Sequence, residues 1–337
     1  MSRLKPGYER VFQHIDFLTR QSWLANSQKF WPHHLFHFTD IKNAKNILTE
    51  GALFSRQRLI EMRKLDIDIA SPEIIKTTPE KWKNHVRLYF RPRTPTQYRN
   101  EGIRPKDKLE YGGAHCPIPI VFIFDAKKIL TLQSTSFSNG NLAAGGVEVD
   151  NTVDFFLSLP FEKIYHDTGF SRLDQSERNS IKFHRHAEVI VPEALELSSL
   201  KYIICRSQAE LETLIQLLPE QKRLNWINRI RPDTRSLFFF CEWVFIKKVS
   251  LSSSSINLRF NPSSKESDSS PFNARLEIIE VKTNKKYIWK QKDFRARETL
   301  EFDLTNLEYP DHYEVSFFLD DNLAYRNTYI EQPEILF

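Results

Sequence analysis

The run Ile118–Phe124 is apolar over the length of a strand, which suits it to the centre of a sheet. The segments around it alternate in texture. His34–Thr39 reads as an alternating aromatic strand, followed by Asp40 as an N-cap and a helix over Ile41–Thr49 that Gly51 stops. Phe54–Leu65 predicts a second short helix, Val86–Phe90 a strand ending at Pro92, and Ala187–Val191 and Leu200–Cys205 further buried strands. Gln208–Leu218 predicts another helix, and Leu237–Ile246 is strongly apolar. Between these lie a polar connection over 66–84 and a long loop punctuated by Pro95, Gly102 and Pro105. Ser136–Gly146 is rich in turn residues, and Val153–Phe161 is aromatic and apolar. Upstream, Arg10–Asn26 carries Val11, Phe12, Ile15, Leu18 and Leu24 at the spacing of an amphipathic helix that packs on the next domain. Strands and helices mixed in this way predict an α+β domain.

From Leu251 the texture changes. Short alternating runs, Ala274–Val281, Tyr287–Trp289, Thr299–Leu304 and Tyr313–Leu319, are separated by Ser, Pro, Asn and Asp clusters, which predicts a small all-β sandwich. Ser263–Ser270 reads as a loop within it. The expected division is a helical extension over 1–30, a main domain over 31–250 and the sandwich over 251–337. Charge follows the same division: residues 1–250 carry 37 Lys and Arg against 28 Asp and Glu, whereas residues 251–337 carry 11 against 15. Lys76–Lys108 alone holds ten basic and three acidic residues interleaved with Trp82, Tyr89, Phe90 and Tyr98. Basic side chains attract phosphates and aromatic rings stack on unpaired bases. No apolar run reaches the roughly 18 residues of a membrane span, and the polar N-terminus is unlike a signal peptide, so a cytoplasmic protein without membrane contact is expected. Cys116, Cys205 and Cys241 lie far apart and read as buried thiols.

Chemistry concentrates at Glu188, a carboxylate that opens an apolar strand directly after the basic stretch Lys182–His186. Such a group can stabilise developing positive charge on a sugar or take up a proton during glycosidic chemistry. His37 on a strand before a helix, Arg63 on the next helix and Tyr89 on a later strand complete the candidate constellation. Neither a dinucleotide-binding glycine fingerprint nor a P-loop occurs, and no nucleophile elbow or reactive-cysteine setting is present. His166, His184 and His186 do not have a persuasive metal-ligand spacing, so no metal is expected.

Four ordered blocks, His37–Gly51, Val86–Pro95, Phe137–Ala144 and His186–Val191, resemble the landmarks of the DarT family over about residues 30–240. Its members are NAD-dependent ADP-ribosyltransferases, many of them toxins that modify a nucleobase in single-stranded DNA. The resemblance implies an ADP-ribosyltransferase-like split mixed β-sheet with helices, clasping NAD in a central cleft. It implies NAD contacts at His37, Thr39, Asn46, Gly51 and Tyr89, and catalytic roles for Glu188 and Arg63. The basic loop, with Arg87, Arg91, Arg93, Tyr98 and Arg99, together with Asn141 and His186, would hold the nucleic acid. Where many relatives carry an aspartate before Gly-Asn this chain has Asn139, and the stretch from Arg63 to Val86 is long, so the base and the choice of DNA or RNA stay open. By resemblance alone, a cognate antitoxin and a place in a toxin–antitoxin or phage-defence pair are implied.

Two alternatives compete. Enzymes of this fold that modify protein often carry Glu or Gln two residues before the catalytic Glu, where this chain has His186. The other alternative is a catalytically inactive module that binds nucleic acid or a partner, against which intact His37, Tyr89 and Glu188 argue.

Overall fold

The computed structural model describes residues 3–64, 76–109, 115–264 and 271–331. Residues 66–75 of the expected polar connection, Leu65 at the end of the second predicted helix, and residues 265–270 of the serine-rich stretch lie outside the described residues. The chain divides into two compact units, residues 1–99 with 121–203 and residues 100–120 with 204–337.

In the first unit the strands are β1 (His34–Asp40), β2 (Ala52–Phe54), β3 (His85–Tyr89), β4 (Pro119–Asp125), β5 (Ser136–Ser138), β6 (Val149–Asp150), β7 (Glu188–Pro192), β8 (Ala194–Glu196) and β9 (Leu200–Cys205). The strands of its main sheet run β9-β4-β1-β3-β7-β5-β6, and β2 pairs with β8 apart from it. The apolar run that predicts a central strand is β4, buried along nearly its whole length between β9 and β1. Helix α1 (Glu9–Thr19) turns Val11, Ile15 and Leu18 inward, as its spacing predicts, and His14 meets Phe156 edge to face at 5.6 Å. It ends seven residues short of Asn26, because Trp23 and Leu24 belong to the following turn. The helix α2 (Ile41–Glu50) starts where Asp40 accepts the Lys42 N–H at 2.9 Å and ends at Gly51, whose φ of 78° is open to glycine at little steric cost.

The second predicted helix is shorter than its apolar pattern suggests. Ser55 caps α3 (Arg56–Glu61) by accepting the Arg58 N–H at 3.1 Å, and the chain leaves helical geometry at Arg63, with φ 54°. A helix over Gln175–His184 has only Ile181 buried, so its apolar periodicity is nearly silent in the sequence. Val153–Ser158 and Phe161–Ile164 are short helices, and Pro95–Asn100 is helical within the expected loop.

In the second unit β10 (Ile230–Pro232) precedes β11 (Phe245–Leu251), β12 (Ser255–Asn261), β13 (Phe272–Glu280), β14 (Lys286–Phe294), β15 (Thr299–Asp303), β16 (His312–Leu319) and β17 (Asn322–Ile330). An antiparallel sheet β11-β12-β15 faces a second one, β14-β13-β16-β17, across one apolar core. Phe260 from the first sheet meets Phe317 from the second with ring centres 5.8 Å apart, and each such buried ring contributes roughly 2–3 kcal/mol. The all-β sandwich is therefore present. Most of the strongly apolar Leu237–Ile246 is irregular, since Asp233 and Glu101 carboxylates take the N–H groups of Leu237, Phe238, Phe240 and Cys241. Beside it, Arg206 is buried in ion pairs with Glu210 and Glu101. Cys116 and Cys205 are buried as expected; Cys241 is only half-buried.

Candidate active site

Register places the central pair. The strands β3 and β7 run antiparallel with Tyr89 opposite Glu188, and β1 sets Phe36 opposite Tyr89. Alternation along β3 then puts Arg87 on the same face as Tyr89, diagonally placed for Glu188. Its guanidinium stands 3.8 Å from Glu188 Oε2. The Tyr89 hydroxyl donates to the same carboxylate and accepts from Thr96.

Glu188 is only 2% exposed, and its Oε2 has no hydrogen-bond partner. Burial pushes its carboxyl up from 4.5 to about 7, against the opposing pull of Arg87 and the Tyr89 hydroxyl. Burial and the neighbouring Glu188 carry the Tyr89 phenol well above the usual tyrosine range. The backbone under Glu188 is fixed by Ser138, whose hydroxyl accepts the Glu188 N–H at 3.0 Å and donates to the Gly140 carbonyl at 2.7 Å. A side chain at Gly140 would meet the Phe183 ring at 2.5 Å, so only glycine lets this support close.

His37 donates Nδ1–H to the Arg87 carbonyl at 3.1 Å, which fixes the tautomer and leaves Nε2 as an acceptor. Burial lowers the ring to about 4, so it is neutral at physiological pH. His186 is likewise lowered to about 4, by burial and then by Arg99 and Arg91.

These groups line a cavity of about 240 Å³. Of the expected site residues, His37, Thr39, Asn46, Arg87, Tyr89, Asn141, His186 and Glu188 all reach it. Asn46 also donates to the Lys64 carbonyl at 3.3 Å, and Asn141 accepts the Ala143 N–H at 2.9 Å. Gly51 serves as the helix stop beside the lining residues Glu50 and Ala52. Arg63 is not brought to the cavity: it is exposed in the turn that follows α3. Arg91 and Arg93 do not line it either. Both grip Asp167, and Arg91, almost fully buried, also donates to the His166 carbonyl and stacks over Trp31. These arginines therefore tie the loop after β3 to the 166–167 turn. Tyr98 and Arg99 are exposed on the short helix beyond.

Sequence reasoning missed other lining groups, among them Asn43, Arg56, Lys64, Lys83 and Thr96. Only Lys83 carried a signal, as part of the basic run; Asn43, Arg56 and Lys64 are brought in by α2, α3 and their ends, and Thr96 by the short helix Pro95–Asn100. Arg56, Lys64, Lys83 and Arg87 set cationic groups in the wall, with Lys64 paired to the lining Glu50 and Lys83 to Glu80, while Glu188 is the buried carboxylate among the lining residues. A ligand with anionic phosphates and sugar hydroxyls matches that chemistry. Among the described residues no His, Cys, Asp and Glu group could hold a metal ion, and no helix is long and apolar enough to cross a membrane.

The sequence model of the family described as DarT, ssDNA thymidine ADP-ribosyltransferase, matches residues 36–239. Among solved structures, the chain is similar to Thermus sp. 2.9 DarT in complex with ADP-ribosylated ssDNA, at 16% identity and a TM-score of 0.47, covering 71% of this chain and 100% of that one. It is similar to Thermus sp. 2.9 DarT in complex with NAD+, at 18% identity and a TM-score of 0.43, covering 60% and 93%. A third likeness is to Thermosipho africanus DarTG in complex with ADP-ribose, at 17% identity and a TM-score of 0.44, covering 66% and 54%. The search of curated proteins found no match.

Proposed function

Because this chain belongs to the DarT family of ADP-ribosyltransferases, we propose that its cavity takes NAD as co-substrate and that Glu188 drives transfer of the ADP-ribosyl group to a base of single-stranded DNA. Thymidine is the nucleoside named for the family and is the acceptor we propose. The observation that carries the reading is the buried Glu188 carboxylate, paired across the sheet with Tyr89 at the wall of the cavity, its Oε2 accepting no hydrogen bond.

The chemistry follows from charge. Cleavage of the bond between nicotinamide and ribose sends its electron pair to the leaving ring and leaves positive charge on the sugar, which an anion held in a dry pocket stabilises strongly. With its pKa near 7, Glu188 is poised to exist in both forms, and the cationic nicotinamide ring of NAD favours the carboxylate. The base nitrogen then bonds to the anomeric carbon, and its proton passes to Glu188. Arg87 holds the carboxylate in place, and the neutral His37 offers Nε2 as acceptor for a sugar hydroxyl. Among the arginines of the expected site, Arg87 is the one that stands beside the carboxylate, whereas Arg63, expected to be catalytic, is exposed away from the cavity.

Purified protein incubated with labelled NAD and separate DNA, RNA and protein pools tests this. Label is expected in single-stranded DNA, and Glu188→Ala is expected to lower transfer by about 10²–10⁴-fold, the range of a lost acid–base group. Label entering protein alone would overturn the reading, and label entering RNA alone would move the acceptor. The catalytic domain is proposed to span residues 31–250, with 1–30 as an extension and 251–337 as an accessory module. A bulky adduct on a template base blocks copying, so the enzyme is further proposed to act as a cytoplasmic toxin in a toxin–antitoxin or phage-defence pair, its antitoxin removing the adduct or blocking the cavity.

A further inference from the structure

Residues 282–297 carry seven Lys and Arg against one acidic residue, Asp293, although residues 251–337 as a whole hold 11 basic and 15 acidic ones. The β13–β14 hairpin places part of this charge on one surface. Tyr287 and Trp289 pack on the sandwich core, so by the two-residue period Lys286, Ile288 and Lys290 share the opposite face. All three are exposed, as is Lys292 on the bulge that the register shift opens before Phe294. Register sets Arg275 beside Lys290 and Glu277 beside Ile288.

The local carboxylate is already engaged. Glu277 holds Lys286 at 2.9 Å and pairs with Arg275, whose guanidinium lies 4.1 Å over Phe318. Lys290 and Lys292 have no acidic partner within ion-pair distance among the described residues. Like charges along an edge strand repel one another, and β14 is the edge of its sheet. Lys286 and Lys290 stand about 13 Å apart along the strand, with Lys292 beyond. That extended array suits a linear polyanion better than a single phosphate, and Ile288 alone is too little apolar surface to anchor in lipid.

We infer that this face of the C-terminal sandwich binds the phosphodiester backbone of single-stranded DNA, an inference that rests on DNA being the substrate. The surface supplies affinity without base readout, which is what phosphate contacts give.

The test is anisotropy of a long labelled oligodeoxynucleotide across a salt series with the full chain and with the Lys290→Ala/Lys292→Ala variant, both positions being exposed. Losing two phosphate contacts should flatten the slope of log affinity against log salt by about 1.4 and weaken binding roughly 25-fold at about 0.1 M salt. Label transfer to a short oligodeoxynucleotide should not change. An unchanged slope overturns the inference, as does a variant that loses binding only to phosphatidylserine vesicles. Absence of label transfer to DNA by the unaltered chain would instead sink the substrate assignment, so the two failures are read separately.

Discussion

Replacing Glu188 by Gln is expected to stabilise the protein above neutral pH while abolishing transfer. The Glu188 carboxyl lies at about 7 in the fold against an ordinary 4.5, with burial as the main cause. A folded-state value above the unfolded one means that the stability carried by the neutral carboxyl is complete below about pH 4.5 and is lost as pH rises through about 7. At about 1.4 kcal/mol for each unit, holding the ionised group in its pocket costs about 3 kcal/mol at about pH 8. Its 2% exposure leaves little water to reduce that figure. Gln keeps the shape and has no charge to bury. Urea unfolding at a series of pH values should therefore show Glu188→Gln more stable by about 3 kcal/mol at about pH 8, with the gap closing toward about pH 4.5. A gap that is flat across pH, or a variant less stable at the alkaline end, would refute the view that a desolvated carboxylate is stored here. Loss of transfer in the same variant separates the destabilising charge from the fold and ties it to the chemistry.

Tyr89→Phe removes the hydroxyl that favours the ionised Glu188, so the acid limb of the kcat/KM profile should move to higher pH. A limb that stays or moves lower would show that the hydroxyl does not act through the carboxylate. In the second unit, Arg206→Ala would strand Glu210, whose side chain is only 1% exposed, without the cation it is paired with. Stability should fall by about 3–5 kcal/mol in denaturant unfolding, and a loss under about 1 kcal/mol would contradict the role given to the buried pair.

What the sequence revealed and what it concealed separate by range. His37, Tyr89 and Glu188 were legible because each sits at a fixed phase of a strand whose ends are punctuated: Asp40 and Gly51 around α2, Pro92 after β3, and the basic turn before β7. The sandwich was legible for the same reason, since its inner strands β12 and β13 alternate buried residues with more exposed ones. The arginines were harder to assign. Arg87, Arg91 and Arg93 look alike in a basic run, yet Asp167, more than 70 residues away, captures the last two and leaves the first beside Glu188. Arg63 stood on a helix whose end the apolar pattern could not fix, because α3 has no buried residue to mark its face. Ser138 and Gly140 gave only a turn signal, although one holds the Glu188 backbone and the other makes room for Phe183. Local propensity thus announces where a functional side chain can stand. Which of several similar side chains serves is decided by long-range partners, and those become visible only when β3, β7 and the 166–167 turn meet.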